Sequence, residues 1–385
     1  FELLIEEDEE RAARLAKEIF DENVNRQTIE SEITECAVNQ IIEKRLYEKN
    51  FILVYGEGWH SGVLGIVAAK LVERFGKPTA VLSSEDGIAR GSARSVEGID
   101  LFEALNSCSD ILIQLGGHKM AAGLTVRLED IDKFDMRINQ YVANQQDCPV
   151  PSLVLDCKLN PLGATLNTLD ATECLAPYGC GNNEPIFGLM GMTVYALHPL
   201  GSNRNTLKIT LKRDDALLVC LKFGQSLKDF PYRVGDIIDL AVTLKENIFK
   251  GSRSVTVLVK DIRPSGEDED AFFGDKLIYD RYLSGEELTS KQAEAILPTR
   301  DDMADVFRFL KGHNGFRFSY EMLWFRLAYR PSFGKMMICL DVMTEFGFIK
   351  REFDGKNFVI TLSDRMEKKN FDNSEIIKKL KDRIF

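Results

Sequence analysis

The 385-residue sequence predicts a multidomain fold in which an α/β domain is followed by a mostly β domain and then by an α+β domain. Three observations support this class. The chain is too long for one compact core, and roughly 150 residues per domain suggests two or three domains. Strand and helix patterns alternate up to residue 147, whereas short strands separated by turns fill residues 152–263. Helical patterns and a hairpin then occupy residues 301–385.

Charge is unevenly distributed along the chain. The net charge is −11, but residues 1–50 hold 14 acidic and 7 basic side chains, while residues 185–263 hold 7 acidic and 12 basic ones. The basic part is where we expect a polyanion to bind. No run of about 18 apolar residues occurs, so we expect no contact with a membrane.

The beginning of the chain and its cysteines indicate its setting. The sequence starts at Phe1 with an acidic segment and has neither an initiator methionine nor a signal peptide, so we interpret it as a piece of a longer protein. Its eight cysteines are scattered and include no Cys-x-x-Cys pair. This fits a reducing compartment better than a disulfide framework, and we expect a cytoplasmic protein.

Residues 1–50 are predicted to contain one long helix. Between Leu15 and Ile41, apolar residues recur at spacings near four, and residues 7–49 contain no proline or glycine. Such a helix either connects domains or packs on its own domain. We assign it as a connector.

Residues 51–147 are predicted to form the α/β domain. An apolar strand, a glycine-broken loop, a helix over residues 64–75 and a buried strand at residues 79–82 make a β-α-β unit. A second helix is expected over residues 101–106, because Asp100 is suited to cap it.

Two glycine-containing segments of this domain are candidate phosphate binders. Gly116 and Gly117, followed by His118, let the backbone approach a ligand closely and permit a tight helical turn whose first amides point at an anion. A simple turn is the alternative. Residues 88–95 are expected to form a flexible loop whose arginines and serines suit phosphate oxygens. The candidates there are Arg90, Ser92, Arg94 and Ser95.

A third candidate lies at the first strand-to-helix turn. Trp59 and His60 stand between Gly58 and Ser61, where backbone amides are able to meet an anion. The alternatives are that Trp59 packs in the core and that His60 caps the helix.

Residues 152–263 are predicted to form about five short strands, which fits a small barrel such as an OB-fold, with a β-sandwich as the alternative. Basic residues interleave there with an aromatic residue, as in proteins that hold single strands by phosphate contacts and base stacking. Exposed strands also carry basic residues without any such role. The candidates are Lys208, Asn247, Phe249 and Arg253.

Residues 264–300 are acidic and turn-rich at their start, and we expect a solvated, mobile linker. In residues 301–385, three helical segments and a hairpin turned at Asp354 and Gly355 predict a winged-helix-like domain. Domains of this kind bind DNA or proteins, and the sequence leaves both open.

No metal centre is expected in this chain. Its four histidines have no aspartate or histidine at metal-ligand spacing, and hydrolysis with two metal ions needs several such ligands to converge. Motifs for a serine nucleophile or a phosphate-binding P-loop are also absent. We therefore assign no catalytic residue in this chain.

Three segments together resemble the DHH-associated domain of the RecJ family, bacterial exonucleases specific for single-stranded DNA. They are Gly56–Ala68, Gly91–Ser95 and Gly116–Gly123. Leu175–Phe187 resembles the segment that leads into the OB-fold of that family, and Lys260–Pro264 resembles the segment that follows it. The winged region is similar to an extra C-terminal domain of some members.

Three positions depart from the common pattern of the family: Ala93, where glycine is usual, Cys180 and Asn183. The resemblance implies 5′-to-3′ degradation of single-stranded DNA in repair and recombination, with Mn²⁺ or Mg²⁺ held by a preceding domain that this chain lacks. A single-strand-binding protein and a helicase are candidate partners. We expect this chain to bind single-stranded DNA without cutting it. The alternatives are a binding module without catalytic function and a nanoRNA or cyclic-dinucleotide phosphodiesterase of the same superfamily.

Overall fold

The computed structural model describes residues 1–145, 152–179, 181–364 and 369–384. The chain divides into two compact units. Unit 1 comprises Phe1–Ser152 together with Phe353–Lys356, and unit 2 comprises Leu153–Glu352 and Asn357–Phe385. The departure noted at Cys180 lies outside the described residues.

Unit 1 begins with helix α1 (Glu9–Glu43), which confirms the predicted long helix. The carboxylate of Asp8 caps it by accepting a hydrogen bond from the Arg11 amide at 2.8 Å. The buried residues of α1, among them Ile33 and Ile41, lie in its C-terminal half and pack in the core of unit 1.

A five-stranded sheet forms the centre of unit 1. Its strands are β1 (Ile52–Glu57), β2 (Thr79–Glu85), β3 (Ile88–Arg94), β4 (Leu112–His118) and β5 (Ala121–Arg127). They lie in the order β1-β2-β3-β5-β4, with β1 and β2 parallel and the other pairs antiparallel. β4 is therefore an edge strand.

Three further helices cover the sheet: α2 (Leu64–Phe75), α3 (Leu101–Asn106) and α4 (Ile131–Ala143). The bounds of α2 and α3 confirm the predicted ones. α1 and α2 bury one face of the sheet, and α3 and α4 bury the other. Because α2 packs on β2 and β3, the same face of β5 and β4 stays open at Gly116, His118 and Gly123, which are all exposed.

Two local predictions for unit 1 were wrong. Residues 88–95 are not a flexible loop, because Ala89 and Ala93 are buried against the sheet core and residues 88–94 form β3. The segment after Gly117 does not form a helical turn. Ala121 instead begins β5, which pairs with β4 as a hairpin.

Unit 2 begins with a closed five-stranded barrel. Its strands are β7 (Phe187–Leu200), β8 (Thr206–Arg213), β9 (Ala216–Phe223), β10 (Ile237–Phe249) and β11 (Ser252–Pro264). The short strand β6 (Cys157–Lys158) and helix α5 (Leu166–Glu173) come before the barrel strands along the chain. Pairing of β10 with β7 closes the barrel. The alternation of apolar residues in β8 buries Leu207, Ile209 and Leu211 inside it. The predicted OB-fold is confirmed.

The rest of unit 2 is helical with a small sheet. Its helices are α6 (Glu269–Ser284), α7 (Ser290–Ile296), α8 (Arg300–Gly312), α9 (Tyr320–Arg326), α10 (Phe333–Glu345) and α11 (Glu375–Lys381). Strands β12 (Phe316–Phe318), β13 (Ile349–Phe353) and β14 (Phe358–Leu362) pair in the order β12-β14-β13. The order of helices and strands confirms the winged-helix-like class.

The prediction of a mobile linker at residues 264–300 was wrong, since α6 and α7 fill this segment. Its acidic start is the first turn of α6, where Asp268 accepts a hydrogen bond from the Ala271 amide at 3.0 Å and acidic side chains complement the helix dipole. Phe272 and Tyr279 then bury their rings in the core of the C-terminal helices.

None of the helices in the described ranges has the length and hydropathy needed to span a bilayer.

Candidate nucleic-acid interface

The open face of the unit 1 sheet gathers most of the predicted phosphate-binding side chains. Residues directly opposite each other in antiparallel strands share a face. The register therefore produces three rows across β3, β5 and β4. The rows are Arg90–Thr125–Gln114, Ser92–Gly123–Gly116 and Arg94–Ala121–His118.

These rows form a groove with a floor of small residues. A cavity of about 280 Å³ lies over Gly116 and Gly123, between Arg90 on one side and Gln114 on the other. A methyl group added at Gly116 would meet no atom within 4 Å. The fold therefore does not need a glycine there for packing, and its bare backbone leaves the floor of the groove open.

The two arginines of β3 carry their charge at this groove. Arg90 is exposed, and its Nε lies 3.4 Å from the hydroxyl of Thr125. Arg94 donates from Nη1 to the carbonyl of Ala93 at 2.9 Å, and its guanidinium lies beside Gly65 near the start of α2. Within the described part of the chain, neither makes an ion pair with a carboxylate. Both positive charges are therefore available to an anion.

The serines of this segment differ in orientation. Ser92 lies between the two arginines on the open face and is half-buried. Ser95 follows the strand, is 5% exposed, and donates its hydroxyl hydrogen to the carbonyl of Ile99 at 2.8 Å. Because this hydroxyl is turned inward and satisfied by the fold, the structure offers no support for a contact of Ser95 with DNA, and that contact stays a prediction.

Gly117 and His118 have distinct roles at the end of β4. Gly117 has φ of +152°, and a Cβ there would lie 2.5 Å from the carbonyl oxygen of Ala121. Because β5 approaches so closely, position 117 requires glycine. His118 is exposed beside the arginine row and lies opposite Ala121. Of these two residues, only His118 places a side chain at the groove.

Trp59 and His60 follow the structural alternatives that the sequence left open. The ring of Trp59 lies over Gly56, where a Cβ would come within 2.2 Å of Cε2, and packs against the core under α1 and α2. His60 accepts a hydrogen bond from the Gly62 amide through Nδ1 at 3.2 Å and so caps the short helical turn that follows. A contact of either with substrate stays a prediction.

The candidates in unit 2 lie on the surface of the barrel. Lys208 is half-buried on β8, whereas Asn247 and Phe249 are exposed at the far end of the β10–β11 hairpin. Phe249 is 66% exposed, with the Lys250 ammonium 5.4 Å from its ring centre. An exposed ring beside a cation is suited to stack on a base.

Arg253 is less available than the sequence suggested. Its guanidinium pairs with Glu246 and, at 2.8 Å, with Asp170. These two carboxylates, Glu246 first, raise the pKa of Arg253. Any phosphate contact here would have to compete with both carboxylates.

Sequence reasoning missed an exposed apolar stripe on β9. Leu217, Val219 and Phe223 alternate along one face of that strand and are 44–64% exposed. Leu221, on the same face of β9, lies opposite Lys208 of the neighbouring strand β8. The signal was the nearly continuous apolar run of β9, which normally indicates a strand buried on both faces.

Within the described ranges, no three His, Cys, Asp or Glu side chains are grouped so that they could hold a metal ion. Helix α10 of the C-terminal part is mostly buried. α10 occupies the position of the recognition helix in winged domains, yet nine of its residues are buried.

Known family models match the α/β domain and the barrel. The family model of the DHHA1 domain matches residues 48–144, and that of the RecJ OB domain matches residues 155–261. A RecJ single-stranded-DNA-specific exonuclease from Bacillus subtilis is 33% identical over 265 residues, which are 67% of this chain and 33% of that protein. One from Haemophilus influenzae is 31% identical over 278 residues, 69% of this chain and 48% of that protein.

A solved structure is also similar. The crystal structure of Thermus thermophilus RecJ in complex with Mg²⁺ superposes with a TM-score of 0.56 at 28% identity, covering 69% of this chain and 40% of that one. A second structure of the same protein contains Mn²⁺. The chain spans about a third to a half of the length of the curated relatives it matches.

Proposed function

Because the chain belongs to the RecJ family, we propose that it is the DNA-holding part of an enzyme that degrades single-stranded DNA in the 5′-to-3′ direction. The proposed reaction is metal-dependent hydrolysis of phosphodiesters in DNA repair and recombination. Single-stranded DNA is the proposed partner, and a single-strand-binding protein and a helicase are further candidates.

The observation that carries the proposal is the groove of unit 1. Arg90 and Arg94 flank Ser92 along one strand, without an ion pair to any carboxylate of the described chain, above a floor that Gly116 and Gly123 keep low. Guanidinium groups bind phosphate oxygens with two parallel hydrogen bonds, and small floor residues let the sugar–phosphate backbone approach. His118 extends the row of donors. This arrangement fits a nucleic-acid backbone better than an uncharged ligand.

The barrel supplies a second proposed contact. Phe249 and Asn247 at the hairpin, with Lys208 on β8, combine a stacking ring with polar and cationic groups. Stacking tolerates any base, which suits an enzyme that works along a strand irrespective of sequence.

We place the ligands of the proposed Mn²⁺ or Mg²⁺ outside this chain. The described residues provide no cluster of side chains that fits such an ion. We expect the chain alone to bind single-stranded DNA without cutting it. Cleavage of such DNA by the purified chain with Mn²⁺ would contradict this part of the proposal.

The decisive experiment measures the affinity of the chain for a labelled single strand over a range of salt concentrations. Replacing Arg90 and Arg94 by Ala should weaken binding and reduce the log–log salt slope by about 0.7 per lost phosphate contact. Arg137→Ala is the matched control, since Arg137 lies on α4 against the opposite face and pairs with Asp110. An unchanged slope in the double variant would refute the assignment of the groove.

A phosphodiesterase of the same superfamily acting on dinucleotides remains the alternative. The matched OB domain favours long strands, because a dinucleotide does not need a second binding domain. Rates of the intact enzyme on dinucleotides and on long single strands distinguish the two functions.

A further inference from the structure

The edge strand β4 contains a one-residue bulge that decides which side chains face the groove. Leu112 pairs with Val126, but the next pair is Gln114 with Thr125, so Ile113 is an extra residue. A bulge of this kind leaves one residue unpaired and re-aims the side chains that follow it.

The packing of β4 confirms the shift. Leu112 and Leu115 both pack against the core beneath α3 and α4, although an odd spacing of three would place them on opposite faces of a regular strand. In an unbroken register, Ile113, Leu115 and Gly117 would instead lie opposite the groove residues of β5. The bulge therefore brings Gln114 to the groove, together with Gly116 and His118, and keeps Leu115 in the core.

Gln114 has no evident task within the fold. Its side chain is exposed, lines the groove, and makes no hydrogen bond with any residue that the structure describes. It lies in the row of Arg90, with the buried Thr125 between them. Since neighbouring strands are about 4.8 Å apart, the backbones that carry Arg90 and Gln114 are separated by roughly 10 Å.

The two walls of the groove therefore differ in chemistry. The β3 wall is cationic, and the β4 wall at this row carries a neutral amide with two donors and one acceptor. A nucleotide whose phosphate lies on Arg90 would cross the groove floor at Thr125 and Gly123 and turn its base toward β4. An amide is suited to the mixed donors and acceptors of a base edge.

We propose that Gln114 contacts the base of the nucleotide held in the groove, and that the bulge at Ile113 presents it there. This inference rests on the proposed function, because it takes the phosphate of that nucleotide to be bound by Arg90.

The test uses ligands too small to reach both units. Binding of deoxynucleoside 5′-monophosphates, deoxyribose 5-phosphate and inorganic phosphate to the whole chain is measured by NMR titration. Gln114→Met keeps the length of the side chain but removes its hydrogen-bonding groups. We expect it to weaken one or more of the mononucleotides by about two- to tenfold, the effect of one lost hydrogen bond, and to leave the two ligands without a base unchanged.

Gln140→Met is the matched control, since Gln140 is exposed on α4 and on the other side of the sheet. If Gln114→Met left every mononucleotide unchanged, or weakened inorganic phosphate and deoxyribose 5-phosphate equally, the inference would be wrong. Arg90→Ala separates the two proposals. It should weaken all the ligands, and unchanged binding of inorganic phosphate in that variant would overturn the phosphate assignment itself.

Discussion

Arg326 and Asp236 form a bidentate ion pair between α9 and the barrel, with Nη1 2.7 Å from Oδ1 and Nη2 2.8 Å from Oδ2. The two side chains are only 12% and 14% exposed. Arg326 also donates to the carbonyl of Pro231, and nearby Met322 is part of the barrel core. Helix α9 is thus packed onto the barrel by both an ion pair and an apolar contact.

Breaking this pair should destabilise unit 2. Asp236→Ala leaves a buried guanidinium without its partner, and we expect it to lower the free energy of unfolding by about 3 kcal/mol in urea denaturation. Asp215→Ala, at an exposed turn with no ion pair among the described residues, should change it little. Combining Asp236→Ala with Arg326→Ala should cost less than the sum of both single changes. Additive losses would show that the pair is not coupled.

Neighbouring glycines of β4 should separate binding from folding. Gly116→Ala adds a methyl group in open space, so the thermal stability should be unchanged. Because this methyl group fills the floor of the groove, the affinity for single-stranded DNA should fall several-fold, which corresponds to about 1 kcal/mol. Gly117→Ala forces a side chain into a positive-φ position and against β5, and should lower the free energy of unfolding by about 1–3 kcal/mol. Wild-type affinity in Gly116→Ala would contradict a ligand on that floor.

Phe249 should act by stacking rather than by charge. Phe249→Ala removes an exposed ring, so we expect a loss of about 1–3 kcal/mol in affinity for single-stranded DNA with no change in the salt slope. Leu277→Ala, another exposed apolar change in unit 2, serves as control. A changed slope with intact affinity would point to lost phosphate contacts instead.

Glu30 should make the stability of unit 1 depend on pH. Hydrogen bonding to Lys70, and then to Arg26, lowers the pKa of this buried carboxyl group. Its stabilising effect is present above the unfolded pKa near 4.3 and is lost as pH falls through the lower folded pKa. Glu30→Gln should therefore reduce the free energy of unfolding at neutral pH by roughly 1 kcal/mol. The difference from wild type should vanish in acid.

Glu32→Gln provides the comparison for Glu30, because Glu32 is exposed on the same helix and has no ion pair in the described chain. The free energies of unfolding of the wild type and of both variants are measured by chemical denaturation over a range of pH. A gap between wild type and Glu30→Gln that persists at the most acidic pH would rule out the ion pairs as its source.

Elements with local signals could be predicted from the sequence. Asp100 caps α3 with its carboxylate, and Gly76 ends α2 in a left-handed conformation, so both helices have the expected bounds. The hairpin of β4 and β5 was missed because its turn residues, Lys119 and Met120, carry none of the usual turn chemistry. The glycines before them suggested a phosphate loop instead.

The candidate site was predicted in its residues more than in its geometry. Arg90, Ser92 and Arg94 share a face because they alternate along a strand, although a loop was expected. Ser95 comes directly after Arg94, so the same alternation sends its side chain to the core side of the sheet, with Ala89 and Ala93. Gln114 was not a candidate, since its position depends on a bulge that only pairing with β5 defines.

The helices α6 and α7 have a practical consequence for anyone dividing this protein into parts. An expression boundary placed in residues 264–300, where the acidic composition invites one, would cut α6 or α7 or separate them from the helices they pack on, and α6 buries Phe272 and Tyr279. The shortened products would expose these rings to water and be prone to aggregate. Trypsin, for the same reason, should leave the barrel and the C-terminal helices in one protected fragment.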